Sequence, residues 1–142
     1  MFAWRAFRDS LPTSSKLERR GVSKGGACPW CGVEGEDLLH LLLRCHFAPL
    51  VWTLSHLSWS LIFVPQSDPE IWFHGLHRNL HALGFSRALL ISWCLCGARN
   101  RLLFENVSVS AQRILERVQS MEGNLLPGAQ AILELEGALK AY

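Results

Sequence analysis

Residues 28–45 read CPWCGVEGEDLLHLLLRC, and this stretch decides how the rest of the chain is to be read. Cys28, Cys31, His40 and Cys45 stand in it as C-x2-C-x8-H-x4-C. Two cysteines separated by two residues can place both sulfurs on one ion from a tight turn, and a later His and Cys complete a tetrahedron. Three thiolates and one imidazole leave no open position for water, so zinc held this way orders a segment and hydrolyses nothing. A segment this small has little apolar core of its own, and the metal would supply much of its ordering energy. His46 is a substitute fourth ligand. Cys45 is preferred because the Leu41–Arg44 spacer ends the apolar run there and thiolate is the softer ligand.

Two cysteines around Pro29-Trp30 also look like the C-P-[YF]-C dithiol of glutaredoxins. Such a dithiol sits between a buried strand and a helix, whereas Gly25-Gly26 precede this pair and Gly32 follows it, which favours the metal reading. The five cysteines are an odd number, clustered as Cys28/Cys31, Cys45 and Cys94/Cys96, and look less like a disulfide framework than like a metal site with two spare thiols. Cys94 and Cys96 are expected to fill core space. His56, His74, His77 and His81 have dissimilar flanks and no matching carboxylates, and are expected as partly exposed helical residues.

Outward from the cysteines, helical signals dominate. Phe2, Trp4, Phe7 and Leu11 recur at near-helical spacing until Pro12, and Ser15 with Glu18 has capping-box spacing before Gly21. Asp37–Leu43 suits a short helix capped by its aspartate. Pro49 suits the first turn of another helix. The clearest linker is Pro65–Pro69, with Asp68 as a helix start for Glu70–Leu76. Ser86–Phe104 is the strongest helix, with a serine cap and with Arg99 and Arg101 toward the end where cations complement the dipole. Ala111–Met121 puts Ile114, Leu115, Val118 and Met121 on one face, and Ala129–Ala141 is a last helix candidate. The expected fold is mainly α: a small helical domain with a CCHC zinc-binding knuckle near the N-terminus. The expected organisation is a zinc module over 1–64 with its knuckle at 28–45, a linker at 65–69 and a helical region over 70–142 packed on the first.

Composition bounds the function. Of 142 residues, 49% are hydrophobic and 18% charged, with six Trp, seven Phe and a net charge of +2, which is a chain able to bury a core and unlike a disordered one. The longest largely apolar run, Ala88–Ala98, is 11 residues, short of the roughly 18 a membrane span needs. Asp9, Asp37 and Asp68 are scattered, and neither a phosphate-cradling glycine loop nor a Ser/His/Asp arrangement is evident, so no enzyme and no small-molecule substrate are expected.

The stretches FAWRAFRDSLPTSSKLERRGV, CPWCG, EDLLHLLLRC, FAPLVW and ARNRLLFE together resemble the zinc-binding domain found downstream of the polymerase in plant non-LTR (LINE-type) reverse transcriptases, over roughly residues 2–106. The resemblance implies Zn2+ on Cys28, Cys31, His40 and Cys45, matches Leu11-Pro12-Thr13 to the family's turn and Trp52 to the helix after the zinc site, and matches Arg99-Asn100 and Phe104 to a later helix. Trp93 is followed by Cys96 where that helix usually has a second Trp. A stand-alone fragment, without polymerase or ribonuclease H, is expected.

Two functions from different classes follow. In the first, a nucleic-acid-binding module, RNA or DNA, uses Arg5, Arg8, Arg19, Arg20, Lys24 and Arg44 on phosphates while Trp30, held near solvent by the metal turn, stacks on a base. The pI of about 8.4 makes only a modest electrostatic footprint for it. In the second, a co-opted fragment binds a protein partner through surfaces once covered. The expected location is a reducing compartment, nucleus or cytoplasm. The Arg- and Ser-rich N-terminus also has the look of a mitochondrial address, apart from its acids.

Overall fold

The computed structural model describes residues 27–33, 35–57, 62 and 68–124. The helices expected over 2–11, 15–21 and 129–141 lie outside these, as does the linker apart from Asp68 and Pro69. The described residues are helices and turns without a strand, in line with the mainly α expectation.

Asp37 opens the first helical segment as expected: its Oδ1 accepts the His40 backbone N–H at 2.7 Å. The segment then widens into a π turn, His40–Arg44. Leu41, Leu42 and Leu43 point from that turn into the core. Helix α1 (Ala48–Leu54) carries Pro49 in its first turn, where a missing N–H costs nothing. Its Trp52 is buried and donates Nε1–H to the Leu42 carbonyl at 2.7 Å, which fastens α1 to the π turn.

Helix α2 (Pro69–Asn79) begins on an Asp68 cap that accepts from Glu70 N at 2.9 Å, and runs three residues past the expected end. It buries Trp72, Phe73 and Leu76, with Trp72 edge-on to Trp52 at 6.2 Å. Helix α3 (Ala82–Glu105) has 24 residues, about 36 Å of axis. It starts four residues before the expected serine cap. His81 is the cap instead, its Nδ1 accepting from Gly84 N at 3.1 Å, and Ser86 is buried inside the helix. The left-handed Asn106 (φ 55°) ends it. Helix α4 (Ala111–Asn124) buries Ile114, Leu115 and Val118, the face its periodicity predicts, and packs on α3 and α1.

One apolar cluster runs through these elements, from Leu38 in the first segment through Trp52, Phe73, Phe85 and Leu95 to Val118. Cys94 and Cys96 lie in it as the core fillers expected. Arg99 departs from the sequence reading. It is 1% exposed, and instead of complementing the helix terminus it turns inward to Glu36, which is 0% exposed. The pair meets at 2.6 and 3.0 Å, tying the loop ahead of the π turn to the middle of α3.

Candidate metal centre

The centre is assembled from two short devices. The first is the turn at Cys28–Val33. Cys28 N–H donates to the Val33 carbonyl at 2.9 Å and Gly32 N–H to the Cys28 carbonyl at 2.8 Å, which folds the chain back on itself. Gly32 sits at φ +77°, a left-handed conformation that a side chain would strain. The turn brings Cys28 and Cys31 to the same side, and backbone N–H groups of Cys31 and Trp30 point at the Cys28 sulfur.

The second device is the π turn. Residues five apart on an α-helix are separated by about 140° around the axis. Closing the turn with a five-residue hydrogen bond, Cys45 N–H to the His40 carbonyl at 2.8 Å, returns the two toward one side. Cys45 then leaves the helix in an extended conformation (φ −65°, ψ 142°), with the Phe47 backbone N–H on its sulfur.

Together they bring the ligand atoms of Cys28, Cys31, His40 and Cys45 within 4.8 Å of one another. Cys28 Sγ lies 3.7 Å from Cys45 Sγ, and Cys31 Sγ 3.3 Å from His40 Nε2. With Zn–S of about 2.3 Å and Zn–N of about 2.0 Å, a tetrahedron spaces two sulfurs about 3.8 Å apart and a sulfur and nitrogen about 3.5 Å apart. The donor set therefore fits zinc in kind, number and spacing. Among the described residues no other group of three or more His, Cys, Asp or Glu side chains has such spacing. His46 is exposed and stands outside the cluster.

Burial pushes the Cys28 and Cys45 thiols above their ordinary range, more strongly than the backbone donors lower them. Burial likewise lowers the His40 pKa, keeping its imidazole neutral. A cation held here by Cys28, Cys31, His40 and Cys45 would take thiolate sulfurs in place of their protons and a neutral imidazole nitrogen. The geometry suits a redox dithiol poorly. Cys31 is followed by Gly32 and Val33 in a turn, with no helix N-terminus to lower a thiol pKa.

Residues 1–52 match the family described as zinc-binding in reverse transcriptase. The resemblance to a reverse-transcriptase zinc-binding domain read from the sequence is borne out over that segment, which also holds Cys28, Cys31, His40 and Cys45. Arg99-Asn100 and Phe104 lie beyond the matched residues. No curated protein and no solved structure matches the chain.

The expected nucleic-acid contacts are placed unevenly. Arg5, Arg8, Arg19, Arg20 and Lys24 lie outside the described residues. Trp30 is half-buried, stacked on Phe47 with ring centroids 4.4 Å apart and planes at 24°, so one ring face is covered. Arg44 is exposed and holds both Asp37 oxygens at 2.8 and 2.9 Å. The sequence reading missed Glu36, buried beside the cluster. Its only local signal is a carboxylate directly before a helix cap, which does not distinguish it from a surface acid.

Proposed function

We propose that this chain is a non-catalytic zinc module, derived from a plant retroelement reverse transcriptase, that binds nucleic acid. The carrying observation is the knot of three sulfurs and one imidazole nitrogen within 4.8 Å. Cys28, Cys31, His40 and Cys45 would hold the ion, and the ion would neutralise thiolates that burial otherwise disfavours. All four positions of a tetrahedron are then filled by protein, which supports a structural role. The N-terminal cations Arg5, Arg8, Arg19, Arg20 and Lys24 would take phosphates. Arg44 would join them by leaving its exposed pair with Asp37, since surface pairs of this kind are weak.

A second reading, a protein-interaction fragment, draws on Leu50 and Leu54, which stand one helical turn apart on α1 at 55% and 46% exposure. Five cysteines without a disulfide suit a reducing compartment, nucleus or cytoplasm, for either reading, with a mitochondrial address carried by the N-terminus as the alternative. Elemental analysis of the purified chain tests the metal, with one zinc per chain expected and none in Cys28→Ser. Titration of labelled RNA and DNA at several salt concentrations separates the two functions. A steep salt dependence supports nucleic acid, and absence of binding favours the protein partner.

A further inference from the structure

On the side of the molecule formed by α3 and α4, exposed aromatic and cationic side chains alternate. Trp93, Gly97, Arg101 and Phe104 fall at i, i+4, i+8 and i+11 of α3, on one helical face. Trp93 is 40% exposed and Phe104 59%. Gly97 stands between them with nothing within 4 Å of where a Cβ would be, so the face is open there. From α4, Arg117 lays its guanidinium over the Trp93 ring at 5.7 Å. Arg113 and Arg117 join Arg101 in lining a cleft of about 170 Å³ between the helices. A neighbouring hollow of about 380 Å³, lined by Arg101, Arg113 and the Ser108–Ser110 loop, extends it past the start of α4.

Among the described residues, Glu105 is the one carboxylate paired with any of these three arginines, at 3.5 Å from Arg101, with both side chains about half exposed. Three guanidinium groups thus converge on one cleft with a single weak counter-charge, and planar groups of this kind match phosphate oxygens in pairs. The two exposed rings are 11 residues apart, about 16 Å along the axis, too far for one compact ligand and suited to an extended one. Exposed rings stack on bases only where the bases are unpaired, as on single-strand binding surfaces.

We propose that the α3–α4 face is a second contact surface, for single-stranded nucleic acid, with Arg101, Arg113 and Arg117 on the phosphates and Trp93 and Phe104 on bases. It rests on the nucleic-acid reading above and lies outside the residues that match the zinc-binding family. An acidic peptide would use the arginines and leave the two rings idle.

The test uses the full zinc-loaded chain with fluorescently labelled single-stranded RNA, single-stranded DNA and duplex DNA of mixed sequence, read by anisotropy across a salt series. Arg113→Ala/Arg117→Ala is expected to weaken single-strand binding and lower the salt slope by about 1.4, near 0.7 for each lost phosphate contact. Trp93→Ala, and separately Phe104→Ala, is expected to cost about tenfold in affinity for the single strands and nothing for duplex. All these side chains are exposed, and circular dichroism verifies that each variant keeps its helices. If these variants bind like the wild type while Arg19→Ala/Arg20→Ala does not, the second surface is overturned and the function stands. If the wild-type chain binds no oligonucleotide, both fall. Loss on the arginine variant alone, with both ring variants unchanged, overturns the single-strand assignment in favour of phosphate contact without base stacking.

Discussion

The Cys28–Cys45 segment and the α3–α4 helix pair solve the same problem by different means. The helices bury Phe85, Ala88, Ile91, Leu95, Ile114, Leu115 and Val118, and hydrophobic burial orders them. The first half of the Cys28–Cys45 segment is turns, two left-handed glycines and a half-buried tryptophan, with too little apolar surface to offset its chain entropy. Its interior is sulfur and imidazole. A region whose core is made of metal-ligating atoms would be stable only as far as its ion is bound, whereas apolar burial orders the helix pair. Among the described residues, the leucines of the π turn and the buried Glu36–Arg99 pair join the two.

Removing the metal should separate them most strongly. Chelation or Cys28→Ser is expected to abolish hydrogen-exchange protection around 27–47, since structural zinc contributes on the order of 10 kcal/mol in comparable small modules. Protection in α3 and α4 should survive. Equal loss in both regions would show that the ion organises the entire chain.

Arg99→Met attacks the joint. It leaves the buried Glu36 carboxylate without its guanidinium, and urea denaturation should report a loss of about 3–5 kcal/mol. The double variant Glu36→Gln/Arg99→Met should recover much of it, because the charge is then gone from both sides.

A pH titration of the zinc-loaded chain separates the regions by sign. As pH falls, protons compete with the ion for the three thiolates and the imidazole, so the knuckle's stability is lost on the acid side. On the helical side, burial raises the Cys96 thiol to about 12 and the Cys94 thiol in the same direction. Their contribution is present below 9.0 and lost as pH rises toward those folded values. Cys94→Ala/Cys96→Ala should flatten the alkaline arm and leave the acid arm intact, followed by thermal melts across the pH range.

The smaller effects are at the caps and surface. Asp68→Ala should cost about 1 kcal/mol through the lost bond to Glu70 N. Arg44→Ala should cost less than about 1 kcal/mol, its partner Asp37 being half exposed. A larger loss for Arg44→Ala would show that the pair is part of the knuckle's framework.

What was legible in the sequence follows the same division. The four ligands, the Asp37 and Asp68 caps and the apolar face of α4 could be read because each depends on residues a few positions apart. The reading of Arg99 as a cation at a helix end erred because its partner lies 63 positions away, and nothing in a lone arginine tells whether its charge is buried. The start of α3 was misplaced for a related reason. Ser86 is the better cap by residue type, but burial on the core side of α3 carried the helix back to His81. Trp30 was expected to face solvent, and its stacking depended on Phe47, which the spacing rules do not place.

The arc from His40 to Cys45 is gripped from both sides, by ligand chemistry at its ends and by Leu41, Leu42 and Leu43 in the apolar core. Its length is therefore fixed twice over. Inserting one residue would carry Cys45 about 100° further round from His40 and put the leucines out of step with Trp52 in the same event. Exchange of one apolar side chain for another can be absorbed here. An added residue cannot, and over evolutionary time this arc should accept substitutions while refusing insertions.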